Sequence, residues 1–165
     1  MPELQRLESL PVHPHPAAPP AGYRLRVDGL VDRPLELSPD ELLALPEGAL
    51  DDEFACLEGW TVPGLHWRGV LLTTVLELAG VRPDARWVQA SFDNFSLPLP
   101  LDGAQDALLA LSLNGSPIPI AHGAPVRLLV PGGECFTSVK WLDHLELLAE
   151  PADNSAERIA RARLR

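Results

Sequence analysis

The chain has 165 residues, of which 46% are hydrophobic, so it is long enough to form one domain with a core that needs no disulfides. Its 13 basic and 23 acidic residues give a formal net charge of −10, which argues against a nucleic-acid partner because phosphates of DNA and RNA are neutralised by clustered lysine and arginine. No apolar run approaches the roughly 20 residues of a membrane-spanning helix, and the N-terminus lacks the basic and apolar segments of a secretory signal, so we expect a cytoplasmic protein without a membrane span.

The first predicted elements follow a proline-rich start. Prolines over residues 1–20 are incompatible with a packed helix and predict a flexible leader, so the folded domain is expected over residues 21–150. Its first strand is predicted over residues 23–27. A short helix follows, because Ser38 and Glu41 have the spacing of a capping box, in which each side chain binds the backbone N–H of the other residue.

The middle of the chain contains two strand patterns and one helix pattern. A buried strand is predicted over residues 54–57. An apolar helical pattern over residues 71–79 ends at Gly80, since glycine readily adopts the left-handed conformation found at helix ends. Residues 87–92 are predicted to form a strand and residues 93–96 a loop.

The second half of the chain is dominated by predicted strands. They comprise a hairpin over residues 108–120 with its turn at Asn114-Gly115, a strand over 126–130 and a strand at the end of 139–148, followed by a basic tail or helix over 151–165. Short strands with only two helices in the domain predict an α+β fold built on a mixed sheet, because two helices are too few to cover both faces of a parallel sheet.

The spacing of the two cysteines, Cys56 and Cys135, does not indicate a particular chemistry. They are too few and too far apart for a disulfide-rich scaffold or a self-contained zinc motif. By itself, Cys56 in Phe54-Ala55-Cys56-Leu57 fits a small buried apolar residue, since a nucleophilic cysteine needs a base and no local Cys–His signature exists.

A candidate anion site lies in the segment that contains Arg127 and Lys140. Arg127 interrupts an apolar strand, so it either lies in water on an edge strand, pairs with an acidic residue, or is buried and binds a carboxylate or phosphate. The small residues Pro131-Gly132-Gly133, a hydroxyl and Lys140, the only lysine of the chain, follow it. Backbone amides, a hydroxyl and an ammonium group can together bind an oxyanion.

Five segments, in a fixed order, carry a resemblance to a known family. They are Cys56-Leu57-Glu58-Gly59-Trp60, Trp67-Arg68-Gly69-Val70-Leu71, the predicted hairpin from Leu108 to Pro117, His122-Gly123-Ala124-Pro125-Val126-Arg127, and Ser138-Val139-Lys140-Trp141-Leu142. Together they resemble the sulfite oxidase-type molybdopterin oxidoreductases, including small bacterial members such as the catalytic subunit of the periplasmic methionine sulfoxide reductase. Each segment is a weak signal, but the ordered set, over about residues 23–150, is specific.

The resemblance implies a cofactor and the residues that hold it. In the family a molybdenum ion is bound by one pterin dithiolene and one cysteine thiolate, and Cys56 stands at the position of that cysteine. His122, Arg127, Ser138 and Lys140 stand at positions that contact the pterin and its phosphate. The implied function is oxygen-atom or electron transfer at molybdenum, and the competing one is a module that binds or carries molybdopterin without turnover.

Other positions bear on the substrate and the electron partner. Asp93 stands in a loop where relatives have substrate-facing residues, although it also fits a capped turn. The segment 57–60 has no arginine where sulfite-binding basic residues follow the ligand cysteine in the family, which argues for a small-molecule substrate other than sulfite. Cys135 stands where the family usually has glycine, so it is either a second thiol near the cofactor or a tolerated small residue. No haem-binding Cys-x-x-Cys-His motif exists, so electrons are expected to come from a separate partner.

Overall fold

The computed structural model describes most of the predicted domain. The described residues are 22–55, 61–92, 95–118, 122–130 and 139–152, and for 51–55 and 61–65 the description covers the backbone alone. The leader predicted over residues 1–20 lies outside these ranges, as does all but the first two residues of the basic tail or helix predicted over 151–165. So do the candidate site residues Cys56, Asp93 and Ser138, and also Cys135.

The described residues form ten strands, two α-helices and one 3-10 turn. In chain order these are β1 (Leu25–Gly29), β2 (Leu35–Leu37), α1 (Pro39–Leu43), β3 (Gly48–Ala55), β4 (Thr61–Leu71), α2 (Leu72–Ala79), β5 (Trp87–Phe92), β6 (Phe95–Pro100), the 3-10 turn (Leu101–Gly103), β7 (Leu108–Leu113), β8 (Ser116–Pro117), β9 (Arg127–Leu129) and β10 (His144–Leu148). Neither α-helix has the length and apolarity that crossing a bilayer would require.

The strands form two five-stranded sheets. The first sheet has the order β2-β1-β10-β5-β6, and the pairing of β1 with β10 is parallel while its other pairings are antiparallel. In the second sheet β4 lies between β3 and β7, and β7 pairs with both β8 and β9. The fold is therefore α+β with a mixed sheet, as the sequence predicts.

The main core lies between the two sheets. The first sheet contributes fully buried leucines and valines such as Leu25 on β1 and Leu145 on β10, and α2 adds Val75. The second sheet contributes Leu109 and Leu128 to this cluster. Because side chains alternate between the faces of a strand, the other face of the second sheet is a separate surface.

That other face carries a second, smaller apolar cluster. Trp67 is its largest member, and the rest are drawn from β7, β9 and the segment after β8: Leu108, Ala110, Leu113, Ile118 and Leu129. Arg127 lies on this face, since it alternates along β9 with Leu128 of the main core. The second sheet thus separates an apolar core from a region that contains a buried charge.

The local signals in the sequence are confirmed where the backbone is described. Ser38 accepts a hydrogen bond from the N–H of Glu41 at 3.1 Å, and the Glu41 carboxylate accepts one from the N–H of Ser38 at 3.2 Å. Gly80 ends α2 with a φ of 71°. Asn114 and Gly115 have φ values of 51° and 85°, which is the geometry of the hairpin turn that Asn-Gly favours.

Several strands differ from the sequence prediction. β2 was not predicted, and β3 begins at Gly48, before the expected start at residue 54. β4 runs for eleven residues, and the prediction missed it because Pro63, Gly64 and Gly69 interrupt the alternating pattern. The predicted loop over residues 93–96 is wrong at its end, because β6 begins at Phe95. β6 tolerates its prolines since it is the last strand of the first sheet and so pairs on one side only.

Candidate functional site

Arg127 is the buried charge on the second face of the second sheet. Only 3% of its surface is exposed, so the alternative of an arginine in water on an edge strand is wrong. Its Nη1 donates a hydrogen bond of 2.9 Å to the backbone carbonyl of His122. Its guanidinium carbon lies 5.2 Å from the centroid of the Trp67 ring. A carbonyl dipole and an aromatic face both stabilise a cation without neutralising it.

The loop before β9 is shaped to let this side chain pass. Gly123 has a φ of 118°, which side-chain-bearing residues rarely adopt. A Cβ atom at Gly123 would lie 3.1 Å from the Cβ of Arg127 and 3.2 Å from its Cδ. Glycine therefore allows the backbone of the loop to lie against the aliphatic part of Arg127, which places the His122 carbonyl within reach of the guanidinium.

Lys140 lies next to Arg127 because of a short antiparallel bridge. Leu128 and Val139 exchange two backbone hydrogen bonds of 2.9 Å and 3.0 Å. Arg127 precedes Leu128 and Lys140 follows Val139, so the bridge brings the backbones of the two basic residues close together. Lys140 itself lies in the turn that follows the bridge.

An aromatic contact connects this pair to the turn between β5 and β6. The Nζ of Lys140 lies 5.7 Å from the centroid of the Trp141 ring, and that ring is 5.8 Å from the ring of Phe92. The N–H of Trp141 donates a hydrogen bond of 3.1 Å to the carbonyl of Gly123. Phe92 ends β5 and directly precedes Asp93 in the chain, which lies outside the described residues.

The site carries positive charge in a region with little water. Burial lowers the pKa of Arg127 to about 9, which still leaves the guanidinium protonated at neutral pH. His122 is buried too, with 6% of its surface exposed. A buried guanidinium with Lys140 close by is suited to an oxyanion such as phosphate, because a low local dielectric strengthens the attraction between opposite charges. Binding of an anionic group here stays a prediction.

The remaining site predictions are not tested by the structure. Cys56 directly follows β3 and Ser138 directly precedes Val139 in the chain, but both lie outside the described residues, as does Asp93. Within the described ranges, no group of three or more histidine, cysteine, aspartate and glutamate residues is arranged to hold a metal ion.

Sequence reasoning assigned no role to two residues that shape the site. Trp67 contacts the guanidinium of Arg127, and Gly123 makes room for its aliphatic part. A signal existed for Gly123, because glycine between buried residues often marks a close backbone approach. The partner of Trp67 could not be inferred, since it belongs to a strand that is distant in the chain.

A family comparison covers most of the chain. The family model for the oxidoreductase molybdopterin binding domain matches residues 12–156. The uncharacterised oxidoreductase YuiH of Bacillus subtilis is 34% identical over 131 residues, which are 78% of this chain and 66% of that protein. The protein-methionine-sulfoxide reductase catalytic subunit MsrP of Gluconobacter oxydans is 27% identical over 86% of this chain and 52% of its own length.

A solved structure has the same fold. The crystal structure of the sulfane dehydrogenase SoxCD from Paracoccus pantotrophus matches 88% of this chain with a TM-score of 0.75 and 25% sequence identity. The match covers 46% of the SoxCD chain. The chain thus spans between about half and two thirds of the length of these three proteins.

Proposed function

This chain belongs to the oxidoreductase molybdopterin binding domain family, and from that membership we propose that it is an oxidoreductase that transfers an oxygen atom or electrons at a molybdenum ion bound by Cys56. The cofactor is molybdenum held by molybdopterin, the group for which the family is described. The observation that carries the proposal is the buried guanidinium of Arg127 close to the backbone of Lys140, where a phosphate-bearing cofactor requires positive charge.

The residues of the site fit this cofactor. Arg127 presents a planar guanidinium suited to bidentate contact with a phosphate, and Lys140 adds a compact point charge. Gly123 leaves a space that a Cβ atom would fill, so the loop lies close to the Arg127 side chain. His122 is buried beside them and Ser138 precedes Val139 in the chain, so both are proposed to contact the pterin.

Cys56 is proposed as the protein ligand of the metal. A thiolate is a soft donor that suits a metal already held by sulfur, and the thiol must lose its proton to bind. When bound, the molybdenum–pterin group supplies the redox chemistry. The protein supplies the thiolate, the positive charge for the phosphate and the walls of the access route, and Asp93 is proposed to face the substrate.

The substrate is inferred from the residues that follow Cys56, and the electron partner from the lack of a haem-binding motif in the sequence. The absence of arginine from residues 57–60 supports a small-molecule substrate other than sulfite. Electrons are proposed to pass to or from a separate protein or a chemical donor. The competing function, a module that binds or carries molybdopterin without turnover, requires the same two cations, so only redox behaviour separates the two.

The experiment uses the chain purified from a host that makes the cofactor. We expect about one molybdenum ion per chain, reducible by a chemical donor, with X-ray absorption showing one more sulfur ligand in the wild type than in Cys56→Ser. Serine offers a hard and mostly protonated hydroxyl, so Cys56→Ser should lose redox activity. The matched control is Cys135→Ser, which should retain both the metal spectrum and the activity.

Each outcome of this experiment has a definite meaning. Wild-type spectra and activity in Cys56→Ser would disprove the assignment of the ligand. Bound molybdenum that no donor or acceptor turns over would favour the carrier function. A wild-type chain that contains no molybdenum in such a host would contradict the proposal as a whole.

A further inference from the structure

Trp67 lies at the centre of the second sheet with its ring against Arg127. It is 2% exposed and is held on both sides, since β4 pairs it with Leu50 on β3 and with Leu113 on β7. A side chain on a central strand, packed within an apolar cluster, has little freedom to move. The ring is therefore a rigid surface for the guanidinium.

The register of three strands explains how the ring and the guanidinium meet. Gly69 on β4, Ala110 on β7 and Arg127 on β9 lie in one row across the sheet. β4 and β9 are two strand spacings apart, about 10 Å, so a contact between their side chains must pass over β7. Gly69 and Ala110 leave that path open because they have little or no side chain. Trp67 lies two residues before Gly69 and so on the same face, and its ring extends across this row of small residues toward Arg127.

A bulge supports this arrangement. The pairing of β4 with β7 shifts by one residue between Arg68 and Gly69. A Cβ atom at Gly69 would lie 2.0 Å from the carbonyl oxygen of Leu109, so only glycine permits the close approach of the two strands there. Bulges bend a strand and redirect the side chains beside them. Here the bulge directly follows Trp67 and Arg68.

From this geometry we propose that Trp67 is a positioning residue: together with the carbonyl of His122, its ring fixes the guanidinium of Arg127 in the orientation that binds the anionic part of the cofactor. The proposal rests on the proposed function for the identity of the anion. An aromatic face contacts the plane of a guanidinium and leaves the edge of the plane to hydrogen-bond acceptors. The His122 carbonyl is one such acceptor, at 2.9 Å.

The test is a double-mutant cycle on the cofactor-free protein with inorganic phosphate as the probe. A cation–π contact at a desolvated site predicts that Trp67→Leu weakens phosphate binding about two- to thirtyfold, whereas Trp67→Phe, which keeps a ring, stays within about threefold of wild type. In an Arg127→Met background, Trp67→Leu should have no further effect, because Trp67 acts only through Arg127. Trp87→Phe, on the first sheet, is the matched control and should bind phosphate as wild type does.

A second comparison separates ring electrostatics from packing. Replacing Trp67 by pentafluorophenylalanine keeps the shape of Trp67→Phe but reverses the charge distribution of the ring face, so phosphate binding should weaken relative to Trp67→Phe. This comparison decides the question even if Trp67→Leu fails to fold. Equal affinities for the two rings, or additive effects in the cycle, would overturn the positioning role.

The test of the positioning role of Trp67 is independent of the test of the proposed function. Molybdenum content of the loaded wild type tests the function, whereas the phosphate cycle tests Trp67. Bound molybdenum with an additive cycle would leave the function standing and remove the positioning role. A coupled cycle in a chain that retains no molybdenum would keep the positioning role and contradict the cofactor.

Discussion

The two faces of the second sheet bury different kinds of side chains. Toward the first sheet lies an apolar core in which Leu25, Leu145 and Leu128 are completely buried. On the opposite face a smaller cluster encloses Arg127, 3% exposed, next to the buried His122. The same strands thus supply aliphatic packing on one side and a buried cation on the other.

The two faces are expected to contribute to different properties: one to the stability of the fold, the other to ligand binding. Apolar burial stabilises a fold in proportion to the area removed from water, whereas burial of a cation opposes folding through lost hydration. A buried arginine at position 127, and the glycine that makes room for it, support the proposal that the second face binds a ligand. The comparison predicts that mutations on the two faces change different measurements.

The largest effect is expected in the main core. Leu145→Ala removes a fully buried side chain and leaves a cavity, so it should lower the free energy of unfolding by about 2–5 kcal/mol. Denaturant unfolding of the cofactor-free protein measures this. The matched control is Leu43→Ala, at a side chain that is 66% exposed, for which the change should stay within about 0.5 kcal/mol. Similar losses in the two variants would mean that the main core does not carry the stability.

An intermediate effect, of another kind, is expected on the second face. Arg127→Met and Lys140→Met should each weaken cofactor retention by about 1.5–3 kcal/mol, or about ten- to a hundredfold, through loss of one charged hydrogen bond. The cofactor-free Arg127→Met variant should remain folded, because the contacts of Arg127 with His122 and Trp67 lie outside the main core.

The measurements for this prediction are molybdenum content after dialysis and thermal unfolding without cofactor. Arg82→Met is the control, because Arg82 is half exposed and its ion pair with Asp32, at 3.5 Å, lies on the surface. Unchanged molybdenum content in both site variants would show that the cations do not bind the cofactor. A large loss of stability in Arg127→Met would place the arginine in the folding core instead.

The smallest effect is expected at the N-terminus of α1, a short helix that contributes Leu42 to the main core. Ser38→Ala removes the side chain that caps this helix and should lower the free energy of unfolding by about 1 kcal/mol without changing molybdenum content. Hydrogen bonds from the backbone N–H and hydroxyl of Ser38 lower the pKa of Glu41.

The same capping box has a defined pH dependence. Because the pKa of Glu41 is lower in the folded state, its stabilising contribution is present above the ordinary pKa of 4.5 and is lost as pH falls through the folded pKa. The difference in stability between wild type and Ser38→Ala should therefore shrink in acid. An unchanged difference at pH 3 and pH 7 would show that the Ser38 hydroxyl does not contribute to the lowered pKa of Glu41.

The candidate anion site shows which contacts could be predicted from the sequence and which could not. An arginine inside an apolar strand and a single lysine downstream predicted a shared anion site, and the bridge between Leu128 and Val139 brings the backbones of Arg127 and Lys140 close together. Whether a cofactor phosphate occupies the site stays a prediction. The contact of Arg127 with Trp67 was not predictable, because it depends on the register of β4, β7 and β9, and β4 was not recognised from its pattern.

The sequence by itself determined the features that are encoded locally. The capping box at Ser38, the end of α2 at Gly80 and the turn at Asn114-Gly115 depend on the backbone chemistry of a few adjacent residues, and the ordered motifs identified the family. Only the tertiary structure decided the parallel pairing of β1 with β10 and the separation of the two buried clusters. The reason is physical: strand register and the face of a sheet on which a charge is buried depend on contacts between residues distant in the chain, and no local pattern specifies those contacts.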